Sequence, residues 1–375
     1  MIYLDNSATT KPSEKALNAF LNCASINFGN PSSVHKKGAE AALLLKEARC
    51  KIAEKMHAEP GEIVFTSGGT MSDNLAVWGA VNLSRGGRII TTAIEHPAVR
   101  NVCLALEKKG IEVIYLKPGR DGTVPIEAIR DALTENTRLV SVMHVNNETG
   151  AIHPVEKIKS CMRTVCPDAL FHSDCVQSFG KLPVLPHVWG ADLISVSAHK
   201  IHGLRGAGAL FVRKGVTLSP LIYGGGQERD VSPGTENLPA ICAFGAAAED
   251  VRDTERVELL SKRLLKGLLS VDNVYVNSPE GRLPHILNVS FGSVPSEVVT
   301  NALSDAGICV SGGSACAGVR SEKSYVLRSM GVPNPDSGVR FSLSDENTEA
   351  EIDETIETIK RIMPMLYMAV GTKRR

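Results

Sequence analysis

The fold is decided by a run that begins with Ile63-Val64-Phe65-Thr66-Ser67-Gly68-Gly69-Thr70, a short apolar stretch that ends in a Gly-rich turn. From there to about Val212 the chain alternates short apolar stretches with amphipathic ones. This alternation predicts an α/β fold with a mainly parallel sheet covered by helices on both faces. The predicted strands are Ile63–Thr66, Arg88–Thr91, Glu112–Leu116, Leu139–Val142, Leu170–His172, Leu193–Val196 and Ala209–Val212, with helices between most of them, such as 97–109 and 154–165.

The pattern changes after this run. One long helix is predicted from about Leu238 to Leu269, followed by strands at 286–291, 308–310 and 339–342 and a final helix from about Thr348. We therefore expect a large α/β domain over residues 15–258 and a smaller α+β domain formed by residues 1–14 and 259–375. On its sequence alone the N-terminal strand could pair with either sheet, and this division assigns it to the smaller domain.

Composition narrows the class of protein. The chain has 375 residues, and Lys plus Arg (41) balance Asp plus Glu (41), so there is no electrostatic footprint for nucleic acid or an anionic membrane. Neither a membrane-spanning apolar stretch nor a signal peptide is evident, which predicts a soluble, cytoplasmic protein. The nine cysteines form no CxxC pair or zinc-type cluster, so we expect no metal, and most of them should be reduced core residues.

Polar residues follow five of the predicted strands, and ligands of open parallel sheets bind at those carboxyl ends. Taken singly, each motif has an ordinary alternative: a capped turn, a helix-capping histidine or a structural ion pair. The five motifs are the Gly-rich turn 66–70, which could cradle a phosphate at a helix N-terminus, His96, the polar run 144–150, Asp174 with Gln177, and Lys200.

Lys200 directly follows a predicted buried strand in Ser195-Val196-Ser197-Ala198-His199-Lys200. Burial disfavours the charged form of an amine and makes it nucleophilic enough to form a Schiff base. Together with a phosphate cradle, an aromatic ring, an aspartate and a glutamine, this lysine meets the needs of pyridoxal 5′-phosphate.

At this point the sequence resembles the cysteine desulfurases of the NifS/IscS type, within the class V aminotransferase family. The resemblance implies the pyridoxal-phosphate-dependent transferase fold of type I, a homodimer, and conversion of L-cysteine to L-alanine. The matching segments, in the family's order, are 3–10, 28–33, 66–74, 95–96, 144–150, 174–177, 197–200, 224–229, 234–237, 311–316 and 339–342.

The resemblance also implies residue roles. Lys200 would anchor the cofactor and act as general base, His96 would stack on the ring, and Asp174 and Gln177 would contact the ring nitrogen and oxygen. Cys316, in the loop Ser311-Gly312-Gly313-Ser314-Ala315-Cys316, would hold the sulfur as a persulfide. The remaining roles would be phosphate binding by Gly69, Thr70, Ser197, His199 and the partner subunit's Thr235, a cofactor contact by Asn147, and binding of the substrate carboxylate by Asn147 and Arg340.

Three departures from the family pattern are Met71 for an acidic residue, Ser232-Pro233 where an Arg is usual two residues before Gly234, and Gly313 for a serine. The printed sequence ends at Lys373-Arg374-Arg375, without the tail that housekeeping members use to dock a scaffold protein. The sulfur acceptor is therefore left open between an iron–sulfur scaffold protein and a tRNA-thiolation enzyme. A selenocysteine lyase, another aminotransferase-fold enzyme and an inactive scaffold are the alternative functions.

Overall fold

The structure is a computed structural model, and it describes residues 1–81, 83–84, 86–250, 252–312 and 324–371. The strands within these ranges are β1 Ile2–Tyr3, β2 Ile63–Thr66, β3 Arg88–Thr92, β4 Glu112–Leu116, β5 Thr137–Ser141, β6 Leu170–Asp174, β7 Leu193–Ser197, β8 Gly208–Val212, β9 Val274–Val276, β10 Ile286–Phe291, β11 Ile308–Cys309, β12 Ser311–Gly312 and β13 Gly338–Ser342. The α-helices are α1 Glu14–Ser25, α2 Lys36–Lys55, α3 Gly69–Gly79, α4 Pro97–Glu107, α5 Ile126–Ala132, α6 Ile158–Met162, α7 Pro186–Trp189, α8 Leu238–Ala248, α9 Thr254–Leu268, α10 Ser296–Asp305, α11 Tyr325–Ser329 and α12 Glu349–Ala369.

The large sheet has seven strands in the order β2-β8-β7-β6-β5-β3-β4. Only β8 runs antiparallel to its neighbours, and the other pairs are parallel. The central strands are buried along almost their whole length, as helices on both faces require. The predicted mainly parallel α/β sheet is confirmed, and every predicted strand of the run 63–212 is present.

A second, four-stranded sheet has the order β12-β13-β10-β9 and is antiparallel throughout. The N-terminal strand belongs with this half, because β1 pairs in parallel with β11, Ile2 opposite Ile308. Leu4 packs in the same apolar cluster as Leu287 and Phe341. The large sheet has a separate cluster around Phe171 and Phe211.

The prediction of one long helix from Leu238 to Leu269 is wrong. The region contains two helices, and Asp253 starts the second by accepting a hydrogen bond from the Arg256 amide at 2.9 Å. The Ala-rich α8 is buried on nearly all sides in the large half, whereas α9 packs against α12 in the small half. One straight helix could not pack into both apolar cores. The helical periodicity of the sequence did not reveal the Asp253 cap that separates the two helices. The predicted helix 154–165 is also shorter, a 3₁₀ turn at Val155–Lys157 followed by α6.

Across the described ranges, no helix is long and apolar enough to cross a membrane. The same part of the chain contains no group of three or more His, Cys, Asp or Glu side chains placed to hold a metal ion.

Candidate active site

A cavity of about 340 Å³ opens at the carboxyl ends of the parallel strands of the large sheet. The structure brings nine of the predicted site residues together in its wall. They are Gly69, Thr70, His96, Asn147, Asp174, Gln177, Ser197, His199 and Lys200.

One end of the cavity is shaped to receive an anion. Helix α3 begins at Gly69 immediately after the turn that follows β2, so its N-terminal amides face the cavity. Gly68 has φ +152°, in the region that favours glycine, and a Cβ on Gly69 would lie 2.8 Å from Val176 Cγ2. The Ser197 hydroxyl is buried here without a hydrogen-bond partner in the described part of the protein. Amides, a hydroxyl and space made by glycine suit a phosphate group.

Asp174 lies at the floor of the cavity, at the end of β6. Burial raises its pKa to about 6, while the amide of Val176, 2.9 Å from Oδ1, and the nearby Lys200 act in the opposite direction. Behind it Asp73 is buried as well, and burial, followed by the charge of Asp174, raises the Asp73 pKa well above the usual range. Asp174 is therefore the carboxylate of this pair that carries the charge at neutral pH.

Two histidines in the wall are uncharged at neutral pH. His96 caps α4, with Nδ1 accepting from the Ala98 amide at 3.2 Å, and burial, then Lys200 and Arg340, lower its pKa to about 4. His199 lies 3.2 Å from the Thr9 hydroxyl through Nδ1, and burial followed by Lys200 lowers its pKa to about 4. Neutral imidazoles can stack on a ring or donate one hydrogen bond without adding charge.

Lys200 ends a 3₁₀ turn, Ala198–Lys200, that directly follows β7. Its Nζ donates to the carbonyl oxygens of Ser7 at 2.5 Å and Ala8 at 2.8 Å. Gln177 Nε2 donates to the same Ser7 oxygen at 3.1 Å, and Gln177 Oε1 has no partner among the described residues. The N-terminal segment is therefore part of the site, which the sequence did not predict.

Arg340, on β13 of the small sheet, contacts Asn147 of the cavity wall without lining the cavity itself. Its side chain is only 2% exposed, and it donates to the Asn147 carbonyl and to Asp5 Oδ1, both at 2.9 Å. Arg340 Nε and Asn147 Oδ1 are buried and make no hydrogen bond within the described ranges. A cation held in a fixed orientation beside an amide is suited to a carboxylate.

Three of the predicted site residues are not among the residues that line this cavity, and Arg340 is one of them. Thr235 is exposed and lies outside the residues that line the cavity. Cys316, the predicted persulfide cysteine, and Gly313 lie outside the described residues.

Sequence reasoning gave no role to several residues that the structure places here. Asp73, Met143 and Arg205 line the cavity, and Glu95 is fully buried next to His96. Asp73 and Glu95 lie in motifs whose predicted roles were given to other residues, Thr70 and His96. A charged residue in a buried segment at the end of a strand was the sequence feature that could have identified them. No such feature marked Arg205, because it lies in the Gly-rich loop 203–207 that precedes β8.

Comparison with known proteins gives a consistent answer. Residues 2–355 match the family model described as aminotransferase class-V. "Cysteine desulfurase 2" of Trichormus variabilis is 41% identical over 375 aligned residues, 98% of this chain and 94% of the relative. "Cysteine desulfurase IscS" of Shewanella sediminis is 41% identical, covering 96% of this chain and 92% of the relative.

Solved structures agree with these relatives. A structure described as a NifS-like protein superposes with a TM-score of 0.91 at 36% identity, covering 97% of this chain and 99% of that one. A second, described as SspA in complex with cysteine, has a TM-score of 0.84 at 33% identity and covers 93% of this chain and 100% of that one.

Proposed function

The chain belongs to the aminotransferase class-V family, and from this membership we infer that it is a pyridoxal-phosphate-dependent cysteine desulfurase. The inference depends chiefly on Lys200, whose amine lies in a cavity with Asp174 and His96. The relatives named as cysteine desulfurases cover nearly the whole chain at about 40% identity. Its substrate is L-cysteine, and its products are L-alanine and enzyme-held sulfur.

The fit of the cofactor to this cavity is supported by buried polar atoms that have no partner among the described residues, Ser197 Oγ and Gln177 Oε1. Ser197 and the start of α3 would bind the phosphate, together with Thr70 and His199. Asp174 would accept a hydrogen bond from the ring nitrogen, and the neutral His96 ring would stack on the heterocycle. Gln177 would contact the ring oxygen, with an amide orientation that the hydrogen-bond network decides. When bound, the cofactor supplies an electron sink for the substrate carbon.

Lys200 would act twice. It would hold the cofactor covalently, and after its release by the substrate amine its Nζ would take the proton from the substrate Cα. The electron pair of that C–H bond stays with the substrate. Arg340 and Asn147 would hold the substrate carboxylate, which fixes the Cα–H bond relative to Nζ.

The sulfur step would belong to Cys316. Its thiolate would attack the substrate sulfur, the Cβ–S bond would break with its electron pair going to Cβ, and protonation of Cβ together with return of the proton to Cα would give L-alanine. Cys316 then carries one extra sulfur as a persulfide. The net change is one enzyme thiol and one L-cysteine giving one persulfide and one L-alanine.

The test is incubation of the purified protein with L-cysteine, with L-alanine quantified and the Cys316 peptide examined by mass spectrometry for one added sulfur atom. We expect Cys316→Ala to keep the visible absorbance of bound cofactor but to lose alanine formation, and Lys200→Ala to lose both. Release of sulfide by Cys316→Ala at the wild-type rate would show that the persulfide assignment is wrong.

We further propose a homodimer in which Thr235 completes the phosphate site of the other subunit. Thr235 is exposed, on a loop that also carries the exposed Ile222 and Tyr223. A neighbouring loop exposes Phe28, and Ser32 of that loop and Gln227 line one cavity, which places the two loops side by side. An apolar surface of this kind is typical of a contact between subunits.

Mixed dimers test this arrangement. Lys200→Ala and Thr235→Ala chains are each expected to have impaired sites, whereas a mixed dimer contains one complete site, so co-refolding should restore activity. A monomer by light scattering, or no gain of activity on mixing, would rule the shared site out.

The proposed sulfur acceptor is a cysteine of an iron–sulfur scaffold protein or of a tRNA-thiolation enzyme, and transfer of ³⁵S from the loaded chain to each purified candidate distinguishes them. We propose a cytoplasmic location, supported by the eight free thiols of the described residues. Cell fractionation followed by immunoblotting checks it.

We propose the division into a large domain (15–258) and a small domain (1–14 and 259–375) on the basis of two separate apolar clusters, with the boundary moved to the break before α9, because Val257 lies in the cluster of the small half. Limited proteolysis should first cut between these cores.

A further inference from the structure

The segment from Asp5 to Thr10 passes directly over Lys200 and contacts it through backbone atoms. Both polar contacts of Nζ in this segment are carbonyl oxygens, Ser7 O at 2.5 Å and Ala8 O at 2.8 Å. A carbonyl oxygen can only accept a hydrogen bond, and it binds a charged ammonium more strongly than a neutral amine, so a pair of carbonyls favours the ammonium form.

Both ends of this segment are fixed. At one end Asn6 Nδ2 donates to the Ser342 carbonyl of β13 at 3.0 Å, and the Ser7 amide donates to the Ser342 hydroxyl at 2.8 Å. At the other end the Thr10 hydroxyl donates to the His199 carbonyl at 3.0 Å and accepts from the His202 amide at 2.8 Å. The two carbonyls are therefore held between the small sheet and the turn that carries Lys200.

Among the described residues, the charged and titratable groups around Lys200 do not replace these carbonyls. His96 and His199 are neutral, Lys181 and Arg205 are basic, and burial followed by the charges of Lys200 and Arg340 lowers the pKa of Lys181 to about 7. Asp174 favours a charge on Lys200, but in the proposed complex that carboxylate is occupied by the ring nitrogen. The Ser7 and Ala8 oxygens then remain as acceptors for the ammonium.

We propose that the Ser7 and Ala8 carbonyl oxygens are a docking site for the Lys200 ammonium, held in place by Asn6 and Thr10 as positioning residues. The inference deepens the proposed function, since it concerns the base of that reaction. When Nζ takes the Cα proton, the ammonium formed has two acceptors already in position, which makes Lys200 a stronger base. The same contacts hold the lysine away from the cofactor after the substrate has displaced it.

The test follows the reactivity of the Lys200 amine in the cofactor-free full-length chain. Competitive acetylation at a series of pH values, read by mass spectrometry, gives the pH at which half of the amine is reactive. In Thr10→Val and in Asn6→Ala we expect this midpoint to fall by about one pH unit, the equivalent of one hydrogen bond to a charged group. The exposed Lys36 serves as internal reference in every sample.

Ser13→Ala is the matched control. It removes the cap of α1, where Ser13 Oγ accepts from the Ala16 amide at 3.2 Å, in the same N-terminal stretch but without touching residues 6–10. We expect it to lower the melting temperature and leave the Lys200 midpoint unchanged. Unchanged midpoints in both Thr10→Val and Asn6→Ala, or a shift of equal size in Ser13→Ala, would overturn the proposal.

This readout needs neither cofactor nor turnover, so it separates the two proposals. Absence of a Lys200-dependent cofactor band in the wild type would reject the proposed function. A normal band with an unshifted amine midpoint in the variants would reject the docking site alone.

Discussion

Replacing Glu95 with Gln should make the protein more stable, and increasingly so as the pH rises. Glu95 is fully buried beside His96, and its Oε1 accepts from the Met143 amide at 3.0 Å and the Thr92 hydroxyl at 2.8 Å. Its Oε2 has no hydrogen-bond partner within the described residues. Burial raises the pKa of Glu95 to about 8. The two donors lower this pKa, and the like charge of Asp174 raises it.

The magnitude follows from proton linkage. Between the ordinary carboxyl range and pH 8, the folded chain holds a proton on Glu95 that the unfolded chain releases. The free energy of unfolding therefore falls by about 1.4 kcal/mol for each pH unit of rise, or about 2 kcal/mol from about pH 6.5 to about pH 8. The buried histidines, which titrate in the unfolded chain near the lower edge of this window, and the other buried acids are common to both proteins and cancel in the difference between them. The Gln side chain keeps an oxygen that can accept the hydrogen bonds from Met143 and Thr92. Because an amide does not ionise in this range, the variant lacks this pH-dependent loss of stability.

The assay is urea denaturation of wild type and Glu95→Gln at several pH values across this window, with the difference between the two curves as the measured quantity. We expect the difference to grow in favour of the variant as the pH rises. Glu127→Gln, an exposed carboxyl in the first turn of α5, is the control and should stay parallel to wild type. Parallel curves for Glu95→Gln would refute the reasoning, because they would mean that Glu95 is ionised in the folded protein.

Three further outcomes are expected. Glu228→Gln should lower the free energy of unfolding by about 3 kcal/mol in the same denaturation assay, because the buried carboxylate holds Arg49 at 2.6 Å and the Phe65 amide at 2.7 Å, next to the phosphate turn. Ser197→Ala should weaken cofactor binding about tenfold by absorbance titration, the value of one hydrogen bond, while leaving the melting temperature of the cofactor-free protein unchanged. Gly69→Ala should also weaken binding in that titration, since its Cβ would lie 2.8 Å from Val176 Cγ2, and an affinity equal to wild type would show that this close approach is relieved by Val176 moving.

The strand-end part of the site was predictable from sequence because parallel strands bring their carboxyl ends to one edge. Asp174 and Lys200 are far apart in the chain, yet β6 and β7 are neighbours, so both side chains reach one cavity. The mainly parallel sheet was predictable for a related reason, since its buried strands are continuous apolar runs bounded by turn residues.

The unpredicted parts depend on information that side-chain patterns do not carry. The contact of Ser7 and Ala8 with Lys200 is made by backbone oxygens, which every residue possesses. The break before α9 depends on Asp253 capping a helix and on Arg252 pairing with Asp345 at 3.4 Å, across to the small half. A contact between residues so far apart in the chain cannot be predicted from the sequence until the relative positions of the two halves are known.

The N-terminal segment contacts both halves of the protein. Within six residues, Asp5 holds Arg340 on the small sheet and the Ser7 and Ala8 carbonyls hold Lys200 on the large one. The proposed carboxylate anchor and the proposed base are thus set at a fixed separation by one short stretch of backbone, itself locked into the small half through β1 and β11. An amino acid whose carboxylate is held by Arg340 and Asn147 would then present its Cα to Lys200, because Arg340 and Lys200 are both held by residues of the same short segment.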